Sequence, residues 1–425
     1  EGVIVNAGTA GNITMDGVGA ASGTTSCTGI DLNAWRAGAA SSSYLTVNGN
    51  ILLTGSASNS GGTNVGAQLN ASAGFPLTLA ATGSGSVIIN GTGSSTSSDI
   101  ILGDVLLLSA SAGVSVLADR AGSKITLSGT NVTAKLGQAA SSAVTASSAP
   151  VLLRADAFSV TSTNGLAVNT TGTVQLTSFN ATAFTAASTF SRLDVGSTVS
   201  AAATNIASFT FGKTTNNAAL TVTAGAINAL GPIRIYGSDL TISVPLRTDA
   251  ASAEILLQGT GFVQTAANLT TTGTISPIRL LAGGYVNLSV ASTLTTSGSN
   301  VLVASNTDNS GGGHIYASGN QTIVTSGGSV TFGGGDLTGT GYAEGTSATL
   351  PEGIRFYAAL SINTSVKTNG VSTGGGDIVL RGRSYTSATA GYGAFGVGVG
   401  EPCVERREAD PGAVAEQRSE ERRVG

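Results

Sequence analysis

Short runs of the form aliphatic-x-aliphatic recur along the chain, each bounded by glycine or a small polar residue. Early copies are Ile51-Leu52-Leu53, Val87-Ile88-Ile89, Ile100-Ile101-Leu102, Val114-Ser115-Val116 and Ile125-Thr126-Leu127. Later ones are Ile233-Arg234-Ile235, Ile255-Leu256-Leu257, Ile278-Arg279-Leu280, Val301-Leu302-Val303, Val330-Thr331-Phe332 and Ile378-Val379-Leu380. Alternation of this kind belongs to a strand, with Ile233 and Ile235 on one face and Arg234 on the other.

The late copies keep a period. Their first aliphatic residues, Ile233, Ile255, Ile278, Val301, Val330 and Ile378, lie 22, 23, 23, 29 and 48 residues apart. The 29 reads as one period with an insertion in the loop from Asn306 to Gly313, and the 48 as two periods. Weaker runs such as Leu240-Thr241-Ile242 and Val286-Asn287-Leu288 lie between. Each repeat of about 23 residues thus carries two or three strands, the mark of a solenoid. A lone coil buries too few aliphatic side chains to offset the entropy of ordering its backbone, so coils must stack. The expected fold is all-β, a right-handed parallel β-helix (β-solenoid) with coils of about 23 residues. Residues 1–400 form the repeat region, with about 17 coils and a rod of about 80 Å at the ~4.8 Å strand spacing. Glycine and asparagine are expected at the corners, where positive φ is needed. Residues 134–220 are less regular, and Phe179, Phe184, Phe190, Phe209 and Phe211 read as aromatics inside the stack.

Composition agrees with folded β-structure. Only 10% of the 425 residues are charged, 61 are glycine, and mean hydropathy is +0.26 with a net charge of −4. Disordered chains combine low hydrophobicity with high net charge, which is the reverse. The longest aliphatic run, Val105-Leu106-Leu107-Leu108, falls far short of a membrane helix. The cysteines are Cys27 and Cys403, so the repeat region holds one and no internal disulfide. Character changes at the end: residues Glu401 to Gly425 hold 12 charged positions in 25, against 30 in the first 400. The last eight, Arg418 to Gly425, read as the in-frame translation of a sequencing adapter. The segment 401–425 is therefore set apart as a charged tail, artefactual or disordered. The start, Glu1-Gly2-Val3-Ile4-Val5, is neither an initiator methionine nor a signal peptide, so the chain reads as a fragment of something longer.

The stretch Gly231 to Leu240, then Val301 to Ile315 and Gly327 to Gly335, resembles the passenger repeats of large filamentous-haemagglutinin-like exoproteins and autotransporter adhesins. The likeness is best over 215–385 and looser over 45–135. It implies export through an outer-membrane translocator, by two-partner or self-transporting secretion, and an extracellular or cell-surface location. It further implies a structural and adhesive stalk in attachment or biofilm formation, with glycans or surface proteins as partners. No secretion domain or membrane barrel is visible within the chain.

Few residues offer chemistry. His314 is the only histidine and follows Gly311-Gly312-Gly313, where it reads as a loop or strand-edge residue. A Ser-His-Asp triad would have to use it. No catalytic residue and no cofactor site is assigned, and the chain is not expected to be an enzyme. The weak metal candidates are Asn306, Asp308 and Asn309, which offer oxygens to calcium beside Gly311. Gly333-Gly334-Gly335-Asp336 and Gly374-Gly375-Gly376-Asp377 resemble pieces of a calcium nonapeptide, but that motif works only in tandem. Polysaccharide lyases and hydrolases with β-helices gather carboxylates and cations on one face; the first 400 residues hold 16 acidic positions, spread out. An ice- or glycan-binding solenoid remains the other alternative, although Thr221-Val222-Thr223 and Thr293-Leu294-Thr295 do not recur in register. No basic stripe suits nucleic acid.

Overall fold

Each of the eleven aliphatic-x-aliphatic runs above is a strand, and ten put their first and third residues inside; in the last, Ile378–Leu380, Ile378 is 49% exposed. Ile233–Gly237, for example, buries Ile233, Ile235 and Gly237 and leaves Arg234 and Tyr236 partly exposed. The computed structural model describes residues 3–19, 26–34, 42–58, 62–71, 77–94, 98–127, 134–137, 148–180, 184–196, 206–347, 350, 352–368, 371–385 and 396–399. The charged segment 401–425 lies outside the described residues.

The chain visits three sheets in turn, and every third strand joins the same one. Each sheet has 13 strands, and the strand pairings that build all three are parallel. The fold is therefore a parallel β-helix with three faces and, among the described residues, thirteen coils. A single hydrophobic column fills the interior from Ile13 to Phe356. Sheet one contains Leu246–Thr248 and Leu269–Thr271, sheet two contains Ile233–Gly237 and Ile255–Gly259, and sheet three contains Leu240–Ile242 and Val263–Thr265.

The register confirms the 23-residue period in one stretch and corrects it elsewhere. Ile233 pairs with Ile255, Ile255 with Ile278, and Ile278 with Val301. Val330, however, pairs directly with Ile378, so those 48 residues make one coil rather than two. The extra length carries an antiparallel pair, Ser365–Thr368 with Val371–Gly375, and the short strand Ala343–Glu344. Early coils are long as well: Ile13 pairs with Ile51, Ile51 with Val87, and Val114 with Val151. The expectation of about 17 coils thus falls to thirteen, and the rod to roughly 60 Å. Hydrogen bonding fixes only the strands. Residues added at a corner leave the cylinder and cost little closure entropy.

Corners follow the expected chemistry. Asn48, Asn306 and Asn309 hold positive φ, as do many glycines. At Gly225 (φ +109°) a Cβ would meet the Leu193 carbonyl oxygen at 2.1 Å, so neither the angle nor the space admits a side chain. Turns from sheet one to sheet two are closed from inside. Thr248 Oγ1 donates to the Ala253 carbonyl at 2.8 Å and Thr271 Oγ1 to Ser276 at 2.5 Å. Thr296 and Thr325 make the equivalent bonds to Ser299 and Gly328.

The middle coils are filled by rings. Phe158, Phe184, Phe190, Phe209 and Phe211 are buried, and Phe184 stacks on Phe211 with centroids 4.9 Å apart. Phe179 departs from the expectation: it is 41% exposed, because it lies in the bend after the strand Thr173–Thr177 rather than on an inward position. The substitution Phe211→Ala is expected to cost about 3–5 kcal/mol through the cavity it leaves, whereas Phe179→Ala should stay within about 0.5 kcal/mol. Urea unfolding of the two variants checks the contrast.

Candidate functional site

The outer surface is mostly small and polar, and its charges are settled locally. Arg120 pairs with the fully buried Asp99 at 3.0 Å, and Asp99 also accepts the amides of Gly93 and Lys124. Arg234 and Arg279 share Glu254, at 2.7 and 3.7 Å. Arg247 pairs with Asp249 at 2.8 Å and Arg383 with Glu344 at 2.8 Å. Among the described residues no group of three or more His, Cys, Asp or Glu could hold a metal ion.

The calcium candidates lie on the corner between sheets two and three. Asn306 is buried with φ +51°, and its Oδ1 has no hydrogen-bond partner. Asp308 and Asn309 are exposed; Asp308 Oδ1 accepts the Ser310 amide at 3.1 Å, and the Asn309 amide donates to Asn306 O at 3.0 Å. Asp336 serves its own turn. Its carboxylate accepts the hydroxyls and amides of Thr340 and Thr338, bonds that hold it well below the usual carboxylate range. Asp377 sits past the hairpin, with its amide on Ser329 Oγ at 3.1 Å. The two Gly-Gly-Gly-Asp motifs therefore occupy different kinds of structure.

The concentration of chemistry lies on sheet three. Phe262, Tyr285 and His314 each immediately precede a strand of that sheet, one coil apart. Their rings stack: Phe262 on Tyr285 at 5.1 Å, and Tyr285 on His314 at 5.1 Å with an interplanar angle of 1°. Tyr316 tilts against His314 at 5.2 Å, and Tyr357 meets Tyr316 edge-on at 6.3 Å. The neighbouring outward column runs Thr241, Gln264, Asn287, Tyr316, Arg355 in strict register. The Asn287 amide nitrogen donates to Gln264 Oε1 at 3.1 Å, and the Arg355 guanidinium lies 5.1 Å from the Tyr357 ring centroid.

His314 lies at the strand edge expected for it, immediately before Ile315–Ala317, but it is 5% exposed and inside the ring stack, which the sequence did not reveal. Sequence reasoning missed the column altogether. The available signal was an aromatic residue directly ahead of three successive sheet-three strands, visible only once the third strand of each coil is aligned. Compared with protein-family models, curated proteins and solved structures, the chain matches none.

A second patch flanks the same corner. Leu256, Leu281 and Ala304 point away from the cylinder yet are buried, with Tyr236 and Leu302 packed on them. The loop 335–342 lies over this patch; a Cβ on Gly339 would sit 2.7 Å from Leu302 Cδ1, and Arg279 Nη2 donates to the Leu337 carbonyl at 3.3 Å.

Burial pushes the His314 imidazole down to about 4, and pushes the phenols of Tyr285 and Tyr316 up. Its Nδ1 lies 3.3 Å from Thr346 Oγ1. The unfolded chain takes up the histidine proton near pH 6.5, before the folded chain does. Stability from neutral His314 is therefore complete above pH 6.5 and is lost as pH falls toward about 4. At roughly 1.4 kcal/mol per pH unit the loss is at most about 3 kcal/mol. The substitution His314→Gln is expected to remove this part of the acid dependence, which urea unfolding at pH 7 and pH 4 measures in both proteins.

Proposed function

We propose that the chain is a structural and adhesive stalk segment of a large secreted bacterial surface exoprotein, working in attachment or biofilm formation. The observation that carries this reading is the repetition: thirteen coils keep three sheets continuous, so the molecule is a stiff spacer with a long side surface. Its acidic side chains support a mechanical role over a hydrolytic one. Acid catalysis on sugars needs two carboxylates facing one bond. Here Asp99, Asp119, Asp194, Asp249, Glu254, Glu344 and Glu352 are each tied to arginine along the length of the rod. The repeat region holds one cysteine, Cys27, and so no internal disulfide, which suits passage through an outer-membrane translocator and folding outside the cell. Contact with glycans or surface proteins falls to the sides of the rod, where rings and amides are presented in register.

The test is attachment under flow. Beads coated with the full chain should be retained on polysaccharide-coated glass several-fold better than uncoated beads. Equal retention overturns the adhesive reading. Release of reducing ends or unsaturated products from the polysaccharide favours the lyase or hydrolase alternative.

A further inference from the structure

Two polar side chains on sheet three are buried and incompletely bonded, and they flank one tyrosine. Asn287 pairs in register with Tyr316, and Tyr316 with Arg355. All three belong to the outward column, yet Asn287 is 6% exposed and Arg355 5%. Asn287 spends its amide nitrogen on Gln264, and its Oδ1 has no partner. Arg355 reaches Glu352 Oε1 at 3.3 Å through Nη1, and its Nε and Nη2 have none. Buried polar groups in native proteins are nearly always satisfied, so these three atoms call for a ligand or ordered solvent. What they ask for is specific. Nε and Nη2 form the parallel donor fork that fits a carboxylate. Asn287 Oδ1 accepts one donor, as from a hydroxyl. Tyr316 stands half exposed between them, with an apolar ring and a polar tip.

We propose that Asn287, Tyr316 and Arg355 form a binding subsite for a hexuronate unit of an acidic polysaccharide. The carboxylate takes the Arg355 fork, a ring hydroxyl donates to Asn287 Oδ1, and the apolar face of the sugar covers Tyr316. Asn287 and Arg355 stand two coils apart, about 10 Å along the rod, with one coil between them for one sugar. Tyr357, 36% exposed and set over the guanidinium, is the ring that moves to admit the acid group. Exposed side chains change rotamer within nanoseconds, so this gate is fast. A polyanion such as nucleic acid fits less well, because Arg234, Arg247, Arg279 and Arg383 on other parts of the rod are already committed to carboxylates. The inference rests on the attachment reading and gives it a ligand class.

Calorimetric titration of the full chain with galacturonate and glucuronate oligosaccharides, with their methyl esters as controls, tests it. At least one acid form should bind, and its ester should bind about tenfold or more weakly. Arg355→Gln should lose the same factor, and Asn287→Asp should weaken acid binding by a few-fold, through a second negative charge about 10 Å from the carboxylate. Should Arg355→Gln fail to fold by circular dichroism, the ester comparison and Asn287→Asp decide. Absence of binding by both acids, equal binding of acid and ester, or unchanged binding in folded variants overturns the site. Beads that hold to the glass despite such a result keep the attachment reading alive without this subsite; beads that do not hold overturn the attachment reading itself.

Discussion

Everything in this molecule depends on the backbone hydrogen bonds between coils. A strand in a parallel sheet has no partner within its own turn of chain; its amides and carbonyls are satisfied only by the strand one coil before and one coil after. That requirement ties Ile233 to Ile255, Ile255 to Ile278 and Ile278 to Val301. Once register is fixed, the side-chain alternation is fixed too, because a slip of one residue would turn the aliphatic column outward. The same ladder places outward side chains of successive coils directly above one another. A stack such as Phe262, Tyr285 and His314 is then a consequence of the register, and each ring contact adds rigidity between coils.

Polar groups that enter the interior are handled without breaking this rule. Thr248, Thr271, Thr296 and Thr325 stand at the inner end of sheet one and close the following turn with their hydroxyls. Asp156, fully buried, accepts the amides of Gly122 and Asn180, so a carboxylate ties three separate segments. Asp99 does the same with Arg120 as counter-ion. Such acids are consumed by architecture, which leaves a chemically quiet surface over most of the rod. In the sheet-three column, Asn287 and Arg355 are buried but only partly bonded, and they stand in register on either side of Tyr316.

The corner between sheets two and three also carries extra chain. The loop 306–313 and the long coil from Val330 to Ile378 add the strand Ala343–Glu344, which bridges Gly313 on one side and Gly382–Arg383 on the other. His314, Thr346 and the apolar patch around Leu281 all meet this added layer. Insertions are accommodated here for a physical reason: a corner loop can grow without disturbing the ladder, and what it grows over is a rigid, repeating template.

The amino-acid pattern by itself determined the all-β class, the inward columns and the turn chemistry, because alternation, glycine and asparagine act over a few residues. Ile51, Val87, Ile233 and Val330 are inside for reasons visible in their own neighbours. Only the tertiary structure decided the count of coils, since whether Val330 meets Ile378 after one turn or two depends on where the intervening chain goes. Phe179 left the interior for the same reason, and His314, at the strand edge expected for it, joined a stack that only the register creates. The Asn287, Tyr316 and Arg355 column joins residues 29 and 39 positions apart through unequal coils, and no fixed period along the chain lines them up. Local physics wrote the strands; the hydrogen-bonded register between distant turns chose which side chains became neighbours.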